Sequence, residues 1–350
     1  MPPYASLGDA DTLTTVPRAV EATRADRRIH NGAQCRKVSS AGRLDAAVFH
    51  WSPRWRPFPV THSASIVELQ PMTPIKTILG ALLAVSGLGA CAQALAPSGE
   101  IKGDAWVHTK DSLAATVQQA DVCVPAAVAG GTVHCGKFSG MPQFSGRKVP
   151  VVIFLHGSSG LGLKAIGEWQ RWLAELGYAS IAPDSFALVG HVTYKSPIDK
   201  ESYERIHALR ASEIPPTLVA LGSQAWADTG RLILAGTSEG SVPVARYRGS
   251  EFMARILYAW SCEANYFVKE PQNAFEPGKP VLNVISASDP FFSRSNSWLG
   301  NPQAQGHCGA ALKDAPQAAI VLVPNAPHTL LNLPAARSAT AGFLSLLGKP

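Results

Sequence analysis

The chain of 350 residues is poor in charge and contains no apolar run as long as a membrane-spanning helix. Only 16% of its residues are charged and 46% are hydrophobic, which excludes a wholly disordered chain. The 30 glycines and 27 prolines are close to average usage and exclude a collagen-like or proline-rich repeat. The length suits one large domain or two small ones, with enough chain to bury a core.

The excess of basic residues is not concentrated in one candidate domain. The formal net charge is +6, and the segments 1–71, 72–96 and 97–350 carry +3, +1 and +2 of it. A phosphate-binding groove requires clustered positive charge on the folded part of a protein. We therefore do not expect nucleic acid to be a partner.

Residues 72–96 have the order of features found in a secretory signal peptide. Met72 and Lys76 precede an apolar run, residues 78–90, which is followed by small residues. The run is shorter than the roughly 20 apolar residues that a transmembrane helix needs. A buried core helix is the alternative, and the glycines within the run disfavour it.

The segment before the signal is rich in arginine and shows no sustained period of 2 or 3.6 residues. Because a signal peptide normally begins its chain, we expect Met72 to be the true start and residues 1–71 to be an over-extended gene start. The alternatives are a disordered leader or an amphipathic targeting arm. An N-terminal peptide map of the native protein that contained residues 1–71 would contradict the first hypothesis.

Two cleavage sites are compatible with the end of the signal. Cleavage after Ala94 would leave a protein that is periplasmic or secreted. The run Leu88-Gly-Ala-Cys91 resembles a bacterial lipobox, in which the cysteine is lipidated. A membrane is an expected partner only if Cys91 carries such an anchor. Residues 97–350 are the predicted catalytic domain.

Export makes disulfides the preferred interpretation of the cysteines. Without Cys35 in the leader and Cys91 in the signal, an even number remains, which allows three pairings in an oxidising compartment. Pairing of Cys123 with Cys135 would close a short loop, and Cys262 with Cys308 would then be the complement. A metal site is the alternative, but no CxxC or finger-like spacing supports it.

The rest of the chain alternates strand-like and helix-like segments, which is typical of an α/β fold with a mostly parallel sheet. The predicted strands are Val149–Leu155, Tyr178–Pro183, Arg231–Ala235, Ala254–Ala259, Pro280–Ile285 and Ala318–Val323. The predicted helices are Ala165–Leu176, Glu204–Leu221 with a break or restart at Pro215-Pro216, Val242–Arg248 and Ala336–Leu347.

A candidate nucleophile lies between a predicted strand and the following helix. Gly236-Thr-Ser-Glu-Gly240 is a G-x-S-x-G pattern in the strand-turn-helix context that this motif requires. The glycines permit a tight turn with closely packed backbones, and the turn exposes the Ser238 hydroxyl. The alternative is a serine in an ordinary tight turn.

The loop after the strand 149–155 reads His156-Gly-Ser-Ser-Gly160 and predicts half of an oxyanion hole. We expect the backbone N–H groups of Ser158 and of Glu239, the residue after the nucleophile, to bind the oxyanion. The imidazole of His156 is interpreted as structural and hydrogen-bonded within its loop.

A serine hydroxyl needs a base, and the base needs a carboxylate that orients it. His328 follows the last predicted strand, whereas His307 has no strand before it, so His328 is the predicted base. Asp289 follows the strand 280–285 and is the predicted acid. Glu263 and Asp184 also follow strands and are ranked behind it in that order.

These motifs together resemble those of the α/β-hydrolase superfamily, in particular its dienelactone-hydrolase-like branch, over about residues 149–347. The matching runs are His156-Gly-Ser-Ser-Gly160, Ala182-Pro-Asp-Ser-Phe186, Gly236-Thr-Ser-Glu-Gly240, Ser288-Asp-Pro290 and Pro327-His328. The resemblance implies an α/β-hydrolase fold: a mostly parallel eight-stranded sheet with helices on both faces, a Ser238–His328–Asp289 triad, and no metal or organic cofactor. Dienelactone hydrolases use a cysteine nucleophile, so the serine here leaves the substrate class as an ester or a related acyl compound.

Several other side chains have both a structural and a functional interpretation. The Glu239 side chain is expected either to touch substrate or to stabilise the start of its helix. Arg210 and Glu213 fit a surface pair (i, i+3) on one helix as easily as a role in the site. The aromatic side chains near Asp289 are interpreted mainly as core, with an acyl pocket as the alternative; they are Tyr266, Phe267, Phe291, Phe292 and Trp298.

The sequence thus predicts an exported serine hydrolase that cleaves a small-molecule carboxylic ester through an acyl-enzyme. A serine peptidase with the same triad is the alternative enzyme, although no propeller repeat or long cap that would gate peptides is recognisable. A non-catalytic envelope protein on the same scaffold is the alternative from another class. The sequence makes no prediction of the oligomeric state.

Overall fold

The computed structural model describes residues 99–294 and 301–350. The predicted leader and signal peptide (1–71 and 72–96), with Cys35 and Cys91, lie outside the described residues, as does Trp298. The strands are β1 Glu100–Lys102, β2 Asp121–Val124, β3 His134–Lys137, β4 Val149–Leu155, β5 Ala179–Ala182, β6 Thr193–Lys195, β7 Ala227–Thr237, β8 Phe252–Tyr258, β9 Val281–Ser286 and β10 Ala318–Val323. The helices are α1 Lys110–Gln118, α2 Ala126–Ala129, α3 Lys164–Glu175, α4 Lys200–Ala211, α5 Ile214–Gly222, α6 Ser241–Arg246 and α7 Pro334–Leu346.

Eight of these strands form one sheet in the order β10-β9-β8-β7-β4-β5-β2-β3. The pairs from β10 to β5 are parallel, and β2 pairs antiparallel with both β5 and β3. The predicted mostly parallel, eight-stranded sheet is therefore confirmed. The strands β1 and β6 pair separately as an antiparallel ribbon.

The central strand β4 shows why a continuous apolar run is needed here. Val151, Ile153 and Leu155 belong to the core on one face of the sheet, with residues of α5 and α6. Val152 and Phe154 belong to the core on the other face, with residues of α3 and α7. Because successive side chains of a strand point to opposite faces, a strand covered on both sides must be apolar throughout. Helices on both faces, as expected, enclose the sheet.

The predicted helix Glu204–Leu221 is two helices in the structure. Asp199 caps α4, where its Oδ1 accepts the Ser202 N–H at 2.8 Å. The chain then begins α5 at Ile214, with Pro215 and Pro216 in the first turn. A proline is tolerated there because the first N–H groups of a helix have no intrahelical acceptor. The prolines start a helix, and the preceding helix has already ended.

Two disulfides, Cys123–Cys135 and Cys262–Cys308, join the pairs that the sequence suggested. The first links residues that face each other directly in the antiparallel pair β2–β3. The second is buried among apolar residues of the core. Within residues 99–294 and 301–350, no helix is both long and apolar enough to cross a membrane.

Parallel strands bring their carboxyl ends to the same edge of a sheet. The segments after β4, β7, β9 and β10 all leave the sheet at this edge. They carry residues 156–160, Ser238, Asp289 and His328 respectively. The topology thus collects residues that are up to 172 positions apart in the chain, from His156 to His328.

Candidate active site

Ser238 occupies a sharp turn between β7 and α6. Its backbone φ is +53°, in the left-handed region that non-glycine residues seldom adopt. The turn continues as a short 3₁₀ helix, Ser238–Gly240, before α6 begins. Strain of this kind at a serine after a parallel strand is the geometry of a nucleophile elbow.

Two glycines beside the serine leave room for the backbones that pack around this turn. A Cβ at Gly236 would lie 2.5 Å from the carbonyl oxygen of Gly240. A Cβ at Gly240 would collide with the carbonyl oxygens of Leu155 and His156. The expectation that close backbone packing requires these glycines is confirmed.

A continuous chain of hydrogen bonds joins the three side chains of the predicted triad. Ser238 Oγ lies 2.8 Å from His328 Nε2, and His328 Nδ1 lies 2.8 Å from Asp289 Oδ2. Since a carboxylate only accepts hydrogen bonds, Nδ1 donates to Asp289. In the neutral imidazole, Nε2 is then the acceptor of the Ser238 hydroxyl.

Asp289 is fixed by the backbone that follows it. Its side chain is fully buried, and Oδ1 accepts the N–H groups of Phe291 at 2.9 Å and Phe292 at 3.1 Å. These bonds satisfy one carboxylate oxygen and leave Oδ2 to His328. The Phe291 ring stands edge-on to the imidazole at a centroid distance of 4.7 Å.

The loop that carries His328 is attached to the end of β9. The Ser286 hydroxyl donates to the carbonyl of Ala326 at 2.7 Å, and the Ala287 N–H donates to the carbonyl of Val323 at 3.0 Å. The segments of the predicted acid and of the predicted base are therefore held to each other independently of the triad.

Ser158 and Glu239, the predicted oxyanion residues, line the same cavity as Ser238 and His328. Gly157 approaches Ser238 closely, since a Cβ there would lie 3.2 Å from Ser238 Cβ. The loop after β4 and the turn after β7 are thus adjacent. The binding of an oxyanion by these two amides stays a prediction.

The alternatives to Asp289 and His328, namely Glu263, Asp184 and His307, accept hydrogen bonds from the backbone. Glu263 accepts the N–H groups of Gln305 and Gly306 at 2.6 and 3.0 Å. Asp184 accepts the N–H of Phe186 at 3.0 Å, and burial raises its pKa. The His307 ring accepts the N–H of Gly309 at 3.0 Å. Glu263 thus holds a distant loop at residues 305–306, whereas Asp184 and His307 each bind the backbone two residues further along the chain.

His156 is structural in the way the sequence suggested. Its Nδ1 donates to the carbonyl of Gly157 at 2.7 Å, and Nε2 accepts from Ser185 N and from Arg210 Nη1 at 3.3 and 3.0 Å. Burial, helped by the Arg210 charge, keeps the pKa of this imidazole well below its usual value. The ring is therefore neutral, in keeping with the acceptor role of Nε2.

The interpretation of Arg210 and Glu213 as a surface pair is wrong. Both side chains are fully buried, with Arg210 Nη1 3.3 Å from Glu213 Oε2. Arg210 also donates to the His156 carbonyl at 2.8 Å, and its Nε lies 3.9 Å from Glu239 Oε1. The Ser185 hydroxyl donates to Glu213. An i, i+3 pair has the same sequence pattern on an exposed and on a buried helix face.

A cavity of about 190 Å³ opens beside the triad. Its apolar lining includes Leu163, Val242, Phe267, Val268, Phe291 and Phe292. Besides Ser238 and His328, its polar lining includes Tyr194, Ser196, Tyr203, His207 and Glu239. Of the aromatic residues that the sequence suggested for an acyl pocket, Phe267, Phe291 and Phe292 line the cavity and also pack on the core. Tyr266 instead donates to the carbonyl of Ile198 at 2.8 Å. Tyr194 and His207 were not predicted from the sequence, because isolated polar aromatic residues on a short strand and on a helix follow no motif.

The sheet order and the strained turn at Ser238 together define an α/β-hydrolase fold. No protein-family model and no curated protein sequence matches this chain. Solved structures that it resembles include esterases and dienelactone hydrolase-like proteins.

The esterase domain of a Rhodothermus marinus protein is 15% identical with a TM-score of 0.41, covering 66% of this chain and 99% of that one. A dienelactone hydrolase-like promiscuous phosphotriesterase from metagenomic libraries is 18% identical, with a TM-score of 0.41 and coverages of 65% and 96%. A thermophilic esterase from Thermogutta terrifontis is 12% identical, with a TM-score of 0.42 and coverages of 65% and 89%. Such distant similarities carry no information about the reaction or the substrate of this chain.

Proposed function

We propose that the protein is an exported serine hydrolase that cleaves carboxylic esters through an acyl-enzyme intermediate. The observation that carries this proposal is the unbroken hydrogen-bond chain from Asp289 through His328 to Ser238. The serine lies in a strained turn at the mouth of a cavity. Three side chains from three loops meet in the order that nucleophilic catalysis requires.

The geometry supports a defined role for each group. His328 Nε2 takes the hydroxyl proton as Ser238 Oγ attacks the ester carbonyl carbon, and Asp289 stabilises the imidazolium that forms. The backbone amides of Ser158 and Glu239 bind the developing oxyanion. The imidazolium then protonates the departing alcohol, and water activated by His328 releases the acid from the acyl-enzyme.

Export is supported by the two disulfides, since such bonds persist in oxidising compartments. The small volume of the cavity beside the triad, about 190 Å³, favours a small ester over a polypeptide chain. A peptidase of the same fold and a non-catalytic binding protein are the outcomes that the following test separates from the proposal.

The first test is hydrolysis of short-acyl p-nitrophenyl esters by the full chain and by Ser238→Ala. We expect activity in the wild type and a loss of about 10⁴-fold or more in kcat in the variant. Ser345→Ala is the matched control, because Ser345 is exposed on α7. A fluorophosphonate, whose phosphorus is attacked by an activated serine with loss of fluoride, should label the wild type at Ser238.

Each result has a distinct meaning. Equal activity in the wild type and in Ser238→Ala would show that another serine, or none, is the nucleophile. A wild type that hydrolyses no ester and is not labelled by the fluorophosphonate would favour the alternative of a non-catalytic binding protein. Labelling of Ser238 with cleavage of peptides and not of esters would favour the peptidase.

A further inference from the structure

The polar lining of the cavity is not explained by the triad. Tyr194 and Tyr203 contribute hydroxyls, and the Tyr203 Oη lies 2.8 Å from the Ser196 Oγ. His207 lies on the same lining although only 3% of its surface is exposed. Its Nδ1 is 4.0 Å from Glu204 Oε2. Hydrolysis of an ester does not require these additional polar side chains. Their presence therefore points to recognition of a polar part of the substrate.

The Glu239 side chain is the acidic member of this lining and follows the nucleophile directly. The Tyr194 hydroxyl donates to its Oε2 at 2.6 Å. Burial, together with the Glu239 charge, raises the pKa of Tyr194 well above its usual value, so the phenol remains a donor. The carboxylate is therefore held in one orientation at the wall of the cavity.

Arg210 is not among the residues that line the cavity. Its Nε lies 3.9 Å from Glu239 Oε1, which is within ion-pair distance, and its fully buried guanidinium is shared with Glu213 and His156. Among the residues that the structure describes, the lining includes no lysine and no arginine. A bound substrate thus meets a fixed carboxylate, which can only accept hydrogen bonds.

From this arrangement, and on the basis of the proposed esterase function, we infer that the Glu239 carboxylate selects the substrate by charge. The favoured ester carries a hydrogen-bond donor, a hydroxyl or an ammonium group, that reaches Glu239 from its acyl or its alcohol part. An ester that carries a carboxylate at that place is rejected, because two like charges would share a site with little water. The side chain of Glu239 thereby sets specificity while its backbone amide serves the oxyanion.

The test uses the full chain and two series of aryl esters that differ only in one ring substituent. The acyl series is p-nitrophenyl benzoate with ethyl, hydroxymethyl, aminomethyl or carboxyl at ring position 3. The alcohol series is phenyl acetate with the same substituents at position 3. Product formation, followed by chromatography, gives kcat/KM for each ester with the wild type, Glu239→Gln and the control Glu175→Gln, an exposed residue at the end of α3.

We expect the aminomethyl ester to exceed the carboxyl ester by about tenfold or more in kcat/KM in one series, with hydroxymethyl also above ethyl. Glu239→Gln should reduce the aminomethyl-to-carboxyl ratio by about tenfold, and Glu175→Gln should preserve it. This ratio is independent of the fraction of folded protein, because both esters are measured on one preparation.

The inference is overturned if the wild type hydrolyses the carboxyl esters as fast as the ethyl esters in both series. An unchanged ratio in Glu239→Gln overturns it equally. If p-nitrophenyl acetate is not hydrolysed either, the esterase proposal itself has failed, and the inference falls with it.

Discussion

Arg210 Nη1 lies 3.3 Å from Glu213 Oε2, and neither side chain is exposed to solvent. The ion pair is enclosed between α4, the start of α5 and the loop after β4. His108 Nε2 also lies 3.4 Å from Glu213 Oε1. The Arg210 guanidinium thus connects the loop of the predicted oxyanion hole with the helix below it.

Removing one partner of this pair should destabilise the protein strongly. We expect Arg210→Met to lower the free energy of unfolding by about 3–5 kcal/mol, because Glu213 would be left as a buried, poorly compensated charge. Lys164→Met is the matched control, since Lys164 pairs with Glu168 at 3.0 Å on the surface of α3 and should matter by about 0.5 kcal/mol or less. Urea unfolding measures both. Similar values for the two variants would contradict the enclosed role of Arg210.

A methyl group at Gly236 should disrupt the turn at Ser238, between β7 and α6. Gly236→Ala would place a Cβ 2.5 Å from the Gly240 carbonyl and 2.9 Å from Val244 Cγ2, so the turn must shift. We expect esterase activity to fall and thermal stability to drop. Gly167→Ala is the control: Gly167 lies inside α3 with no atom within 4 Å of an added Cβ. That change should stabilise the protein by roughly 0.5–1 kcal/mol. Normal activity in Gly236→Ala would show that the turn is less tightly packed.

The two disulfides should contribute unequally to stability. They close loops with sequence separations of 12 and 46 residues. Loop-closure entropy then gives about 3 kcal/mol for Cys123–Cys135 and about 4 kcal/mol for Cys262–Cys308. Paired alanine variants of each, unfolded in urea without reductant, measure the difference. A larger loss for the first pair would indicate that the structure of the unfolded chain decides the outcome.

The protein should lose stability as the pH falls from about 6.5 to 4. Burial, helped by the charges of Arg210 and His108, lowers the pKa of His191 to about 4. In this window the unfolded chain binds a proton that the native protein does not, so the free energy of unfolding decreases with falling pH. His191→Gln should reduce the slope by at most about 1.4 kcal/mol per pH unit, and by less because the ring keeps some contact with water. Equal slopes of the free energy of unfolding against pH in the wild type and in His191→Gln, between about pH 6.5 and 4, would refute this prediction. Above about pH 7.5 the two curves should run parallel, which serves as the control.

Much of the architecture was accessible from the sequence, because its signals are local. The run Val149–Leu155 is apolar at every position, as expected for a strand that is covered on both faces. The glycines at 236 and 240 bracket a serine between strand and helix. The positions of Asp289 and His328 follow from the rule that parallel strands end at one edge. These features depend on a few neighbouring residues and on topology.

Other features depend on contacts between distant segments of the chain, and no local sequence pattern predicts them. The burial of Arg210 is decided by the loop after β4, 54 residues earlier. Tyr194 reaches Glu239 from a short outlying strand, across 45 positions of the chain. The sequence left open whether Pro215-Pro216 breaks or restarts a helix, because prolines are compatible with the region after one helix as well as with the first turn of another.

Phe291 and Phe292, the second and third residues after Asp289, have separate roles for their backbone and their side chains. The N–H groups of Phe291 and Phe292 hold Asp289, and their rings form part of the apolar lining. Every amino acid except proline supplies the same N–H. The shape of the cavity can therefore diverge at these two positions, in nature or in a library, while the carboxylate keeps its orientation. Substrate range is in this sense evolvable without a change in the reaction chemistry.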